Sequence, residues 1–146
     1  MTPLDELEEK VSEILKDFKN QTSAIACSLL DKDGFIISSE KDDSLDEKSY
    51  KKKLVNLFTT LESLKIINFY QKTEYISFDV NEDDKEEIDK RRYSKGFKIL
   101  IRAIGENLIF LSIFDYTSDI DEMLPKFENV VNKLSTYFLA TKNSSQ

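Results

Sequence analysis

Few residues in this chain are equipped to do chemistry. Histidine is absent, which removes the commonest general acid/base and metal ligand. The Ser–His–Asp and Cys–His arrangements of covalent catalysis go with it. The single cysteine, Cys27, sits in an apolar run. It cannot form an internal disulfide and reads as a small core residue rather than a reactive thiol. One cysteine and no histidine leave only carboxylates as metal ligands, so neither a metal site nor a cofactor is expected. The glycines are Gly34, Gly96 and Gly105. None stands in the strand–GxxxxGK–helix context that cradles phosphate, so the chain is not expected to be a self-contained GTPase or kinase. Asp42/Asp43 and Asp83/Asp84 fall in polar stretches and read as solvated charge, because a carboxylate pair needs a pocket to act as acid and base. Asp31-Lys32-Asp33-Gly34 begins like a calcium loop but lacks the later ligands and the bidentate Glu. The arginines are Arg91, Arg92 and Arg102. An arginine supplied in trans can stabilise phosphoryl transfer on a partner. Arg91 and Arg92 lie where such a finger could reach out, although ordinary surface charge is the plainer reading. No catalytic residue is expected.

Composition narrows the class. A chain of 146 residues with 40% hydrophobic and 11% aromatic residues can bury a real core and reads as one domain, 1–146. Basic residues number 21 against 28 acidic, a net charge of −7, which argues against nonspecific binding to nucleic acid or an anionic membrane. The start, Met1-Thr2-Pro3-Leu4-Asp5-Glu6, has no basic, apolar leader. No apolar run approaches the roughly 18 residues of a spanning helix, so no membrane insertion is expected and a cytoplasmic protein is the default.

The elements that would position any site follow from periodicity. Leu4, Leu7, Val11, Ile14, Leu15 and Phe18 recur at helical spacing and predict an amphipathic helix over about 3–20, with Thr2 as its cap. Ser23–Leu30 and Phe35–Ser39 flank the Asp-Gly of a hairpin. In the first of these strands Ala24, Ala26 and Ser28 are expected to share one face, open to a close helix, with Ile25, Cys27 and Leu29 on the other. Residues 40–53 run acidic and then basic. Ser44-Leu45-Asp46-Glu47 has capping-box spacing, and a second helix runs from there to about Leu64. Its stripe is Tyr50, Leu54, Leu57, Phe58 and Leu61, with Val55 alongside. A third strand at 74–80 sets Ile76, Phe78 and Val80 against Tyr75, Ser77 and Asp79, an alternation that fits one solvated face. Residues 81–96 form a long charged connection. Phe97–Ile104 and Leu108–Asp115 make a second hairpin. The last strand is apolar on both faces and so must be covered above and below. A final helix spans about 118–140, capped by Ser118 or Asp121. Pro125 is expected near its first turn or at a bend. A flexible tail follows, 141–146.

The order helix-strand-strand-helix-strand-strand-strand-helix resembles the roadblock (dynein light chain) family. So does the run from Ala24 to Ile37, a small-apolar strand, Asp-x-x-Gly and an apolar strand. A longin domain, the nearest rival, starts with a strand rather than a helix. The roadblock resemblance implies an α/β sandwich, with a five-stranded antiparallel sheet and the first and last helices on one face. It also implies pairing through the middle helix and third strand, with itself or a related roadblock protein. The expected interface is Tyr50, Leu54, Leu57, Phe58 and Leu61 with Tyr75 and Ser77; Arg91, Arg92 and Tyr93 are the expected contacts to a further partner. The implied function is that of a noncatalytic dimeric scaffold or regulator of a small Ras-like GTPase, with GTPase activation or exchange as an effect on the partner. The alternatives are a structural subunit of a motor or signalling complex, or a longin-like adaptor or ligand sensor.

Overall fold

A computed structural model describes residues 3–63, 72–78 and 96–144. Along the chain the elements are α1 (Pro3–Gln21), β1 (Ala24–Asp31), β2 (Ile36–Lys41), α2 (Glu47–Ser63), β3 (Glu74–Phe78), β4 (Phe97–Ile104), β5 (Leu108–Asp115) and α3 (Ile120–Ser144). This is the expected succession. Across the sheet the strands do not follow it: their order is β2-β1-β5-β4-β3, antiparallel at every step. The strand that is apolar on both faces, β5, therefore lies at the centre. β2 and β3 are the edges.

Two apolar layers sandwich the sheet. On one side, α1 and α3 cover Cys27 and Leu29 of β1, Leu100 and Ile104 of β4, and Phe110 and Phe114 of β5. Phe18 meets the rings of Phe110, Phe114 and Phe127 edge-on at 5.6, 6.3 and 6.3 Å, and Phe110 stacks on Phe127 at 4.8 Å. Such offset and edge-on pairs are favoured by the ring quadrupole. On the other side, Tyr50, Leu54, Phe58 and Leu61 of α2 cover Ala26, Leu30, Ile99, Ile101, Ile109 and Leu111. Ala26 and Ser28 do face this helix. Ala24 does not, because the β1–β5 register shifts between Ala24 and Ala26 and turns Ala24 to the α1/α3 side. A bulge inserts one residue, and one residue is enough to reverse the face.

The β1–β2 turn explains why glycine stands at position 34. Its φ of +90° is open to glycine and rarely adopted by other residues. A Cβ there would also lie 2.8 Å from the Phe58 ring, so the hairpin tip packs directly on α2. The Asp31 carboxylate accepts from the backbone N–H of Asp33 at 2.8 Å and of Phe35 at 3.0 Å. The short polar side chain thus serves the turn.

The helix starts differ from those expected. α2 is capped by Asp46, whose carboxylate accepts from Ser49 N–H at 3.0 Å, not by Ser44. That hydrogen bond to the ionised form holds the Asp46 carboxyl below its ordinary range. α3 is capped by Asp119, which accepts from Asp121 N–H at 3.1 Å and Glu122 N–H at 3.4 Å. Ser118 and Asp121 flank this cap. Pro125 sits inside α3, beyond the first turn, and α3 runs to Ser144 rather than stopping near 140. The expected cap Thr2 and residues 79–80 of the expected 74–80 strand lie outside the described residues.

Candidate interaction surface

The expected interface divides into a part spent on folding and a part left at the surface. Tyr50, Leu54, Phe58 and Leu61 are buried within the chain's own core. They seat α2 on the sheet and have no surface to offer another chain. The amphipathic stripe was legible, but an apolar stripe serves a sheet or a subunit equally well. Tyr50 is further committed by its hydroxyl, which shares a 2.7 Å hydrogen bond with Ser28, itself 2.9 Å from the Ser39 hydroxyl. Burial, the larger influence, pushes the Tyr50 phenol up from its ordinary pKa. Leu57 is half-buried, and Val55 is 50% exposed on the outer side of α2. Lys48, Lys51 and Lys52 are exposed on the same helix.

Tyr75 and Ser77 are exposed, as expected of an edge. Among the described residues β3 pairs with β4 alone, Tyr75 opposite Leu100, Ile76 opposite Ile99 and Ser77 opposite Lys98. Ile76 is half-buried at the margin of the α2-side layer. Tyr75, on the opposite face, is 50% exposed and helps line a groove of about 610 Å³ between β3, β4 and the start of α3. Leu100, Ile120 and Leu124 give the groove an apolar floor; Lys98, Thr117, Ser118 and Asp119 give it a polar wall. The Lys98 ammonium donates to the Ser118 carbonyl at 2.9 Å and lies 5.6 Å above the Tyr116 ring, a distance at which a cation is attracted to a ring face. This groove was invisible in the sequence, since its walls come from three separated stretches.

The arginines give no finger among the described residues. Arg102 NH1 lies 3.3 Å from Glu128 and donates to Thr73 at 3.4 Å, while Thr73 donates to Glu128 at 2.5 Å. These contacts bind the start of β3 and α3 together. Arg91, Arg92 and Tyr93 lie outside the described residues. Cys27 is fully buried, donates weakly to the Leu15 carbonyl at 3.5 Å, and has its thiol pushed up to about 12 by that burial. It is chemically quiet. Among the described residues no group of three or more carboxylates, cysteines or histidines could hold a metal ion. Among them, too, no helix is long and apolar enough to cross a membrane.

No protein-family model matches the chain, and no curated protein matches it in sequence. Solved structures do. An MglB with a tetrameric arrangement superposes with a TM-score of 0.63 at 13% identity, over 90% of this chain and 89% of that one. Myxococcus xanthus MglB gives 0.61 at 14% identity, over 91% and 90%. The Roadblock/LC7 domain from Streptomyces avermitilis gives 0.58 at 12% identity, over 88% and 97%. The chain folds as a roadblock-type domain. In roadblock terms, then, what the structure adds is a split: α2 is anchored to its own sheet by four buried side chains, and β3 is the outermost strand on its side of the sheet among the described residues.

Proposed function

We propose that this roadblock-type chain is a noncatalytic, dimeric binding module of the cytoplasm, a scaffold or regulator of a small Ras-like GTPase. The β3 edge is the observation that carries the dimer. Among the described residues no strand covers its outer side, its Ile76 is half-buried, and such edges pair readily unless they are protected. The fold shared with MglB, one structure of which has a tetrameric arrangement, supports association with a like chain. The GTPase follows from what the roadblock resemblance implies, and Arg91, Arg92 and Tyr93 remain its proposed contacts. In this reading α2 enters the dimer through Leu57 and Val55, since its other apolar residues are used internally.

Sedimentation at tens of micromolar tests the dimer, with a strict monomer rejecting it. Pull-down against Ras-like GTPases loaded with GDP or GTP tests the partner. Retention of at least one GTPase, stronger in one nucleotide state, is expected of a regulator. Retention of none rejects the GTPase reading and leaves the dimer to stand or fall separately.

A further inference from the structure

We propose that Ser44, between β2 and α2, is a phosphorylation site for an acid-directed serine kinase, one whose substrate cleft is basic, and that Lys16 of α1 receives the phosphate across a groove both residues line. This depends on neither the dimer nor the GTPase.

The first observation is the hydroxyl itself. Among the described residues outside helices and strands, the exposed hydroxyl side chains are Ser44 and Thr117. Thr117 is committed, since its hydroxyl donates to the Asp115 carboxylate at 2.6 Å. The Ser44 hydroxyl makes no hydrogen bond among the described residues. Other hydroxyls are held by the fold: Ser28 and Ser39 meet each other, and Thr59 and Thr60 bond back to the carbonyls of Val55 and Asn56 in α2. Ser44 is left as a nucleophile in solvent, on backbone free of any helix or strand ladder.

The second observation is what surrounds it in the chain. Asp42 and Asp43 precede Ser44, and Asp46 and Glu47 follow at the second and third positions. Asp43, Asp46 and Glu47 are exposed. The one nearby base, Lys41, turns its ammonium to the Leu45 carbonyl at 2.7 Å. Kinases choose substrates by such charge patterns, and carboxylates on both sides of the serine suit a basic cleft and repel an acidic one.

The reaction moves the γ-phosphoryl group of a nucleoside triphosphate to Ser44 Oγ. An O–P bond forms there, the bond to the β,γ-bridging oxygen breaks, and the nucleoside diphosphate leaves. The hydroxyl proton passes to the kinase's catalytic carboxylate. The product carries a charge of about −1.5 to −2 and three acceptor oxygens. Ser44 borders a groove of about 430 Å³ that Lys16, Lys19 and Lys41 also line. Lys19 is engaged by Asp42 at 2.6 Å and Lys41 by the Leu45 carbonyl. Lys16 is exposed and makes no ion pair among the described residues. Glu40, Asp42 and Asp43 line the groove as well, so the phosphate meets repulsion there that pairing with Lys16 offsets.

The full chain treated with magnesium ATP and an acid-directed serine kinase tests the site. Mass spectrometry with fragmentation is expected to find one phosphate, on Ser44, and none there in Ser44→Ala. Glu47→Gln, at an exposed position, is expected to slow the modification on the order of tenfold. Phosphate on another residue with Ser44 unmodified overturns the site. So does a folded chain that stays unmodified, even where a peptide of residues 40–50 is phosphorylated. Thermal unfolding then tests the receiver. Lys16→Gln is expected to lower the midpoint of the phosphorylated protein by about 1–3 °C and to leave that of the unmodified protein unchanged. An equal effect on both forms, or none on either, overturns the role of Lys16.

Discussion

The two edges of this sheet are built to opposite ends. β2 is defended in the ways that soluble sheets defend their margins. Its pairing with β1 is broken by a register shift between Leu29 and Leu30, and it ends in the charges Glu40 and Lys41. The α1 helix is tied to the chain just beyond it, where Lys19 meets Asp42 at 2.6 Å with both side chains largely covered. The Asp42 N–H also donates to the Ile25 carbonyl at 2.9 Å. Among the described residues β3 is tied down at its start alone, where Thr73 meets Arg102 and Glu128. Its one charge is Glu74, it contains no lysine and no proline, and its register with β4 runs unbroken from Glu74 to Phe78. If β3 is the interface as proposed, exposed apolar area alone does not mark it. Phe35 and Ile37, at 70% and 43% exposure, lie at the defended edge. The undefended edge shows a tyrosine and a serine.

The largest expected effect is the one that would break this contrast. Ser77→Lys places a charge in the middle of the β3 edge, beside Lys98, without touching the core. It is expected to convert the dimer to a monomer in sedimentation at tens of micromolar. Ile37→Lys on β2 is expected to leave association unchanged. The reverse result, with Ile37→Lys dissociating the dimer and Ser77→Lys sparing it, would exchange the roles of the edges.

A second substitution pair sharpens what holds the β2 edge in place. Gly34→Ala meets a strained φ and the Phe58 ring together and is expected to destabilise by about 2–4 kcal/mol. Gly105, in the β4–β5 turn, has a φ of +63° but nothing within 4 Å of an added Cβ. There, Gly105→Ala bears only the backbone term, about 1 kcal/mol. Urea unfolding of the two variants checks the difference. Equal costs would mean that Phe58 moves aside freely and that the hairpin tip is not locked to α2.

What the sequence made legible, and what it did not, follows a physical line. Element type and succession were readable because the periods of Val11–Leu15–Phe18 and of Leu108–Asp115 are strong and local. The two-faced apolar pattern of β5 even pointed to its central, doubly covered place. Caps were missed by one or two residues, at Asp46 and Asp119, since several neighbouring side chains can serve and only backbone geometry selects among them. Ala24 was assigned to the wrong face because a bulge leaves no mark in a run of small residues. The α2 stripe was read as an interface because burial has no label for its partner. The groove beside Tyr75 could not be read at all, as β3, β4 and α3 contribute to it from positions far apart in the chain.

The smallest expected effect compares two serines that are both fully buried, Ser28 and Ser112. Ser28 belongs to the network that binds β2 and α2 to β1: its hydroxyl touches those of Ser39 and Tyr50. Ser28→Ala removes one of the two hydroxyls, Ser28 and Ser39, that meet the covered Tyr50 hydroxyl, and losing one such hydrogen bond costs about 0.5–1.5 kcal/mol. Ser112 lies on the α1/α3 face of the central strand, opposite Cys27 and Leu100, and its hydroxyl has no hydrogen-bond partner among the described residues. Its desolvation is already suffered in the native state, so Ser112→Ala removes a cost rather than a bond. It is expected to be neutral, or stabilising by up to about 1 kcal/mol. Thermal unfolding of both variants is the check. A Ser112→Ala loss as large as that of Ser28→Ala would show that the Ser112 hydroxyl is satisfied in solution. The polar tie would then no longer be peculiar to the side of the sheet that carries the β2 edge.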